Sequence, residues 1–215
     1  MTTKNLMKRV MPLALAFLMV LTTVLVPVSA KAAERKPSGV GTYTMVVDEQ
    51  WTAPIFFASE DAVVVSNKIN KKKVATVDEN GVVTALKKGK CKLTTVVKQG
   101  GKSYKIKTKI VVKNDITWQE FVARALPEFA CYYQECFDLA YANGWVDDDG
   151  NMADETYGQW LNNYYQVIAG VQQHVIDNPG SKTDEELQQI YDELMYPIME
   201  QVPTAYEFFS VPFEG

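Results

Sequence analysis

Few residues in the chain could do chemistry. His174 is the single histidine and sits beside Val171 and Val175. A zinc site of the HExxH kind is therefore excluded, and a Ser-His-Asp triad would have to be built on that one side chain. A core or boundary position is the expectation. No G-x-S-x-G, S-x-x-K or phosphate-binding glycine loop occurs. Glycoside hydrolysis needs only two carboxylates, but no pair stands out among the many acidic residues. The stretch WVDDDGNMADE gathers Asp147, Asp149, Asn151 and Asp154, hard oxygen ligands of the kind that hold calcium outside cells. Counting from Asp147 places Met152 at position six and Gly158 at position twelve, so this is not an EF-hand. The plainer expectation is a polar loop in which Asp154 caps the next helix, with weak calcium as the one cofactor the sequence admits. Of the three cysteines, Cys91 and Cys136 fall on apolar faces and read as small core residues. Cys131 shares a helix face with Arg124, Glu128, Glu135 and Asp138, which predicts an exposed free thiol able to link two chains.

The elements that must position these residues fall into two halves. Lys4, Lys8 and Arg9 precede an apolar stretch from Met11 to Val28, followed by small-residue sites at Val28-Ser29-Ala30 and Ala30-Lys31-Ala32. This is the pattern of a cleaved secretory signal over residues 1–30, with a linker over 31–39; a retained signal anchor is the alternative. The signal segment is the only part expected at the membrane. Residues 40–113 hold fourteen Lys, no Arg and six acidic residues, net +8, whereas residues 114–215 hold one Lys, one Arg and nineteen acidic residues, net −17. The change of sign coincides with a change of hydrophobic period, which places a domain boundary near Asn114-Asp115.

In the basic half, YKIKTKIVVK puts Tyr104, Ile106, Thr108, Ile110 and Val112 on one face and lysines on the other. KCKLTTVVK alternates likewise, with Cys91, Leu93, Thr95 and Val97 inward, and Gln99-Gly100-Gly101-Lys102 supplies the turn between them. Short strands at this spacing predict a small β-sandwich. The order VATVDENGVVTALKKGKCKLTTVV, with the Gly-Gly turn and the strand ending IVVK, resembles the bacterial Ig-like group 2 domain (Big2), whose members show a VATVD-x-x-G-x-V-T-A-x-x-x-G core. The resemblance covers residues 40–113 and is densest from Val74 to Val97; upstream, AVVVSNKINKKK departs from the family's usual strand. It implies a building unit of bacterial surface proteins, used as a spacer or a binding module. Asn80-Gly81 suits a tight hairpin and Gly89 a second reversal. The lysine face reads first as a solvated face that discourages edge-to-edge pairing. Its other reading is a surface drawn to an anionic partner, either a cell-wall polymer or the acidic half of the same chain. Nucleic acid is not expected as a partner, since the basic half has no Arg to read bases.

The acidic half turns helical at once. Thr117 and Glu120 form a capping box, and apolar residues then recur to a stop at Asn143-Gly144, with Pro127 predicting a kink or two stacked segments. A second helix opens near Asp154 and ends before Asn178-Pro179-Gly180. The third carries its own capping box, Thr183 to Glu186, and the stripe Leu187, Ile190, Leu194, Ile198 and Val202. An up-down-up three-helix bundle is the economical arrangement. Eighteen aromatics fall in these 102 residues, most of them on the apolar stripes and so in the core. Tyr133, Tyr165, Phe208, Phe209 and Phe213 are placed for either exposure or packing across to the sandwich.

The expected architecture is thus an all-β domain followed by an all-α domain, an Ig-like β-sandwich over 40–113 and an acidic helical domain over 114–215. The expected function is non-catalytic: a secreted or cell-surface-associated protein with an Ig-like module for adhesion or spacing and a helical interaction domain. Its partner would be a cell-wall polymer or a surface protein, with self-association also open. The alternative is a structural protein whose basic and acidic halves dock within or between chains; a small secreted hydrolase is third.

Overall fold

The computed structural model describes residues 35–147 and 150–214. The expected signal segment, most of the linker, and Asp149 lie outside the described residues. Seven strands come first: β1 (Thr42–Val46), β2 (Gln50–Thr52), β3 (Val63–Ile69), β4 (Ala75–Val77), β5 (Val82–Ala85), β6 (Gly89–Gln99) and β7 (Lys102–Lys113). They form a four-stranded sheet in the order β1-β7-β6-β3 and a three-stranded sheet in the order β2-β5-β4. β1 runs parallel to β7 and the other pairings are antiparallel. Between the sheets, Met45, Phe56, Val83, Leu93 and Ile110 are fully buried, as the period-2 pattern of β6 and β7 requires. Two polar side chains share that interior with their partners supplied: Thr95 donates to Asn67 Oδ1 and Thr108 to the Val40 carbonyl, each at 2.7 Å.

Two glycine positions differ in their reason. Gly100 and Gly101 both take positive φ, 56° and 72°, and close the two-residue hairpin between Gln99 and Lys102. Gly89, expected at a reversal, instead opens β6, and a Cβ there would lie 2.9 Å from Val74 Cγ2. Close packing, not turn geometry, requires glycine at that point. The Asn80-Gly81 connection is also longer than a tight hairpin, because β4 and β5 are separated by residues 78–81. Asp78 organises it, its carboxylate accepting from the Val82 N–H at 2.8 Å.

The helical half begins as its capping box predicts. Thr117 caps α1 (Trp118–Ala142), Asp154 caps α2 (Glu155–Val171), and Thr183 caps α3 (Asp184–Ile190), with both Thr boxes closed by their glutamates. Single π turns, Gln172–Ile176 and Tyr191–Met195, extend α2 and join α3 to α4 (Tyr196–Phe209). Three rods result, as expected. Pro127 does not divide the first: α1 is one continuous helix of 25 residues. Proline removes one backbone donor, but packing on both flanks of α1 holds the rod together.

Tyr164 lies at the centre of this bundle, fully buried, edge-on to Phe129 and Trp160. Its hydroxyl donates to the Phe129 carbonyl at 2.9 Å. The tail aromatics pack within the helical half, not against the sandwich: Phe208 stacks on Tyr157 at 3.7 Å and Phe209 is fully buried. Asn143 and Trp145 tie the tail down by donating to the Phe209 and Val211 carbonyls. Tyr164→Phe deletes one buried hydrogen bond with the ring left in place, so urea unfolding of the variant should show a loss of about 1 kcal/mol with an unchanged m-value.

Candidate functional site at the domain junction and on the lysine face

One side of α1 carries Arg124, Glu128, Cys131, Glu135 and Asp138, spaced four and three residues apart so that they share a face. That face meets the sandwich. Arg124 Nη1 donates to the Thr44 carbonyl at 2.7 Å and to Glu49 Oε2 at 3.0 Å, while its guanidinium lies 5.2 Å from the Tyr43 ring centroid and 4.8 Å from that of Phe121. Tyr43 stacks on Trp51 at 4.1 Å, and the Trp51 indole N–H donates to Glu128 at 3.0 Å. Burial pushes the Tyr43 hydroxyl up to about 12. One turn further along, Tyr132 meets Phe56 edge-on at 5.0 Å and Glu135 accepts from the Phe57 N–H. At the two ends, Arg35 pairs with Asp138 and Lys113 with Glu120.

Cys131 is therefore not the exposed thiol expected from its charged neighbours. It is half-buried against the sandwich core, and burial, then the nearby Glu135 and Glu128, push its thiol up. A charged helix face normally meets water; here it meets a second domain that supplies partners. Cys91 and Cys136 are buried as expected, and all three thiols are free.

Beside this contact lies a cleft of about 530 Å³ lined by Arg35, Phe57, Lys102, Tyr104, Glu135 and Tyr206 among others. Phe57 holds a left-handed φ of 57°, an uncommon backbone for a bulky residue, with its N–H on Glu135 and its ring 5.2 Å from Arg35. Nothing in the sequence marks this position. The carboxylates at the cleft are already engaged: Asp61 accepts from Ser59 and the Gly100 N–H, Asp138 from Arg35 and Gln134. His174 is not part of it; its carbonyl accepts from Ser181 beyond α2.

In the loop before α2, Asp147 accepts from the Asn151 backbone and side-chain N–H groups at 2.8 and 2.9 Å, and Asp154 from the Tyr157 N–H at 2.9 Å. Both described carboxylates thus serve the loop and the cap. Among the described residues no three or more His, Cys, Asp or Glu side chains gather as a metal site; Asp149 is outside that description.

The lysine face lies on the four-stranded sheet, on the side opposite the buried residues. Register sets Lys109 directly opposite Lys92, and Lys107 opposite Thr94, which in turn lies opposite Lys68. Lys90, Lys98, Lys105 and Lys113 occupy the same side by alternation, and no Asp or Glu occurs at its positions on β1, β3, β6 or β7. Lys113 reaches Glu120; the other seven make no ion pair among the described residues.

The two facing sheets with β1 parallel to β7 define an Ig-like β-sandwich. Residues 47–108 match the family model of the bacterial Ig-like domain (group 2), and the chain carries such a domain ahead of its three helical rods. Among solved structures, a bacterial Ig-like domain containing GH10 xylanase from termite gut aligns at 22% identity over 37% of this chain, with a TM-score of 0.24. This chain spans 21% of the length of that one. No curated protein matches.

Two consequences of the junction are measurable. Arg124→Ala removes two charge-assisted hydrogen bonds and leaves Glu49 with the Val46 N–H in place of its cation, a loss of about 2–3 kcal/mol. Scanning calorimetry should show one unfolding transition for the native chain and two for the variant, the sandwich separating from the helices. Burial also raises Glu128 and Glu135 above the ordinary carboxylate value of 4.5. A raised folded value means that their contribution is full below about pH 4.5 and is lost as pH climbs through the folded values. Melting temperatures of the Glu128→Gln/Glu135→Gln double variant should therefore rise relative to wild type from pH 4.5 toward neutrality; a pH-independent gap would contradict this.

Proposed function

We propose that the chain is a non-catalytic interaction protein of the bacterial cell exterior, in which the Ig-like domain and the helical domain are presented as one rigid body. The observation that carries this reading is the disposition of charge. The acidic half docks through a few specific pairs on α1 and leaves the lysines of the Ig-like sheet exposed, Lys113 excepted. The domain is held by directed contacts, yet its most charged surface faces outward. The engaged carboxylates of the junction cleft support a structural role there in place of acid-base chemistry, and the Ig-like module suits the spacing and adhesion that such units provide.

The docking alternative finds its support in the same contacts, but only Lys113 of the lysine face takes part. Surface shaving tests the reading directly. Intact cells producing the chain are treated with protease, and the helical domain is followed with an antibody. Loss of the signal from intact cells is expected, with the protein recovered in wall or medium fractions. Retention in the cytoplasm, or turnover of a polysaccharide panel by the purified chain, would overturn it.

A further inference from the structure

The lysine side of the four-stranded sheet has three properties that a merely solvated face does not need. First, its charges are of one sign, and all of its lysines but Lys68 lie on the central strands β6 and β7, where deterring edge pairing is not required. Second, Lys92 and Lys109 are cross-strand partners, an arrangement that destabilises a sheet. A solubilising surface would intersperse signs instead. Third, the opposite charge is abundant in the same chain, net −17 over residues 114–215, and still does not cover this face.

We propose that this face binds a linear phosphodiester polymer without bases, the lysines tracking successive phosphates; the inference rests on the cell-exterior reading above and names the partner of that surface. Along β7, Lys105, Lys107 and Lys109 recur at every second residue, about 6.6 Å apart, and the neighbouring strand adds Lys92 about 4.8 Å away. A ladder of point charges fits a flexible chain with a fixed negative charge on each short repeat. Lysine meets an anion as a point charge, without the fork by which arginine grips carboxylate and phosphate alike. This face therefore reads spacing and charge, and a phosphodiester chain supplies both, each repeat carrying a full negative charge that ordinary pH does not titrate. Single-stranded nucleic acid needs aromatic platforms for its bases, and the positions facing outward with these lysines are Thr, Val and Ser.

The test uses the purified full chain and poly(glycerol phosphate) across a salt series, with single-stranded DNA and phosphate-stripped cell wall as comparisons. With about five phosphates neutralised, the logarithm of the binding constant should fall with log salt at a slope of about −3.5. Lys92→Gln/Lys107→Gln/Lys109→Gln should weaken binding at least tenfold and flatten the slope by about 2, with a melting temperature no lower than that of the native chain, since the repulsion between Lys92 and Lys109 is relieved. Lys71→Gln/Lys72→Gln/Lys73→Gln makes the same charge change at exposed residues outside this face and should leave binding intact. Salt-insensitive binding, equal loss in both triple variants, or tighter binding to DNA or to stripped wall would each overturn the proposal. Because the measurement is made in solution, it stands or falls independently of where the cell places the protein.

Discussion

The structure depends on one constraint: a helix face carrying Arg124, Glu128, Glu135 and Asp138 is partly buried against a second domain and must be satisfied there. Burying such groups without partners costs several kcal/mol each. Every one of them finds a specific acceptor or donor on the sandwich or the segment before it, namely the Thr44 carbonyl with Glu49, the Trp51 indole, the Phe57 amide and Arg35. The local geometry of the sandwich answers to this need. Phe57 keeps a left-handed backbone where its N–H reaches Glu135, and Trp51 lies flat on Tyr43 with its N–H turned to Glu128. Apolar contact between Phe56 and Tyr132 closes the same surface.

Docking by a few directed pairs has a consequence for the long-range field. Opposite charge could have been neutralised broadly by laying the acidic half over the lysines, but pairing of exposed side chains contributes little to stability. The junction instead uses partly buried partners, where each contact counts for more, and leaves the lysine face to solvent. The molecule is thereby polarised, with a cationic sheet on one domain and an acidic helical surface on the other. Such a distribution steers charged partners.

Much of the fold was legible because local rules decide it. The capping boxes at Thr117 and Thr183 start their helices, Asp154 starts the one between, and the Gly-Gly turn sets the β6–β7 register. The family pattern from Val74 to Val97 is visible for the same reason, being turns and alternation. Misreadings arose where a residue's role depends on what lies across space. Gly89 reads as a turn but makes room for Val74, and the charged neighbours of Cys131 read as water-facing but meet the sandwich. Pro127 reads as a kink or a division into two stacked segments, and α1 is one continuous helix through it.

By itself the sequence determined two domains of opposite charge, a β-sandwich of Ig-like pattern and three amphipathic rods, since period, caps and turns act over a few residues. Only the tertiary structure decided which charged face is covered, where the cleft opens, and that the lysines of β3, β6 and β7 share one surface with no acidic residue among them. Strand register and domain docking bring together residues far apart in the chain, and no spacing along the sequence records which of two polar faces will be covered.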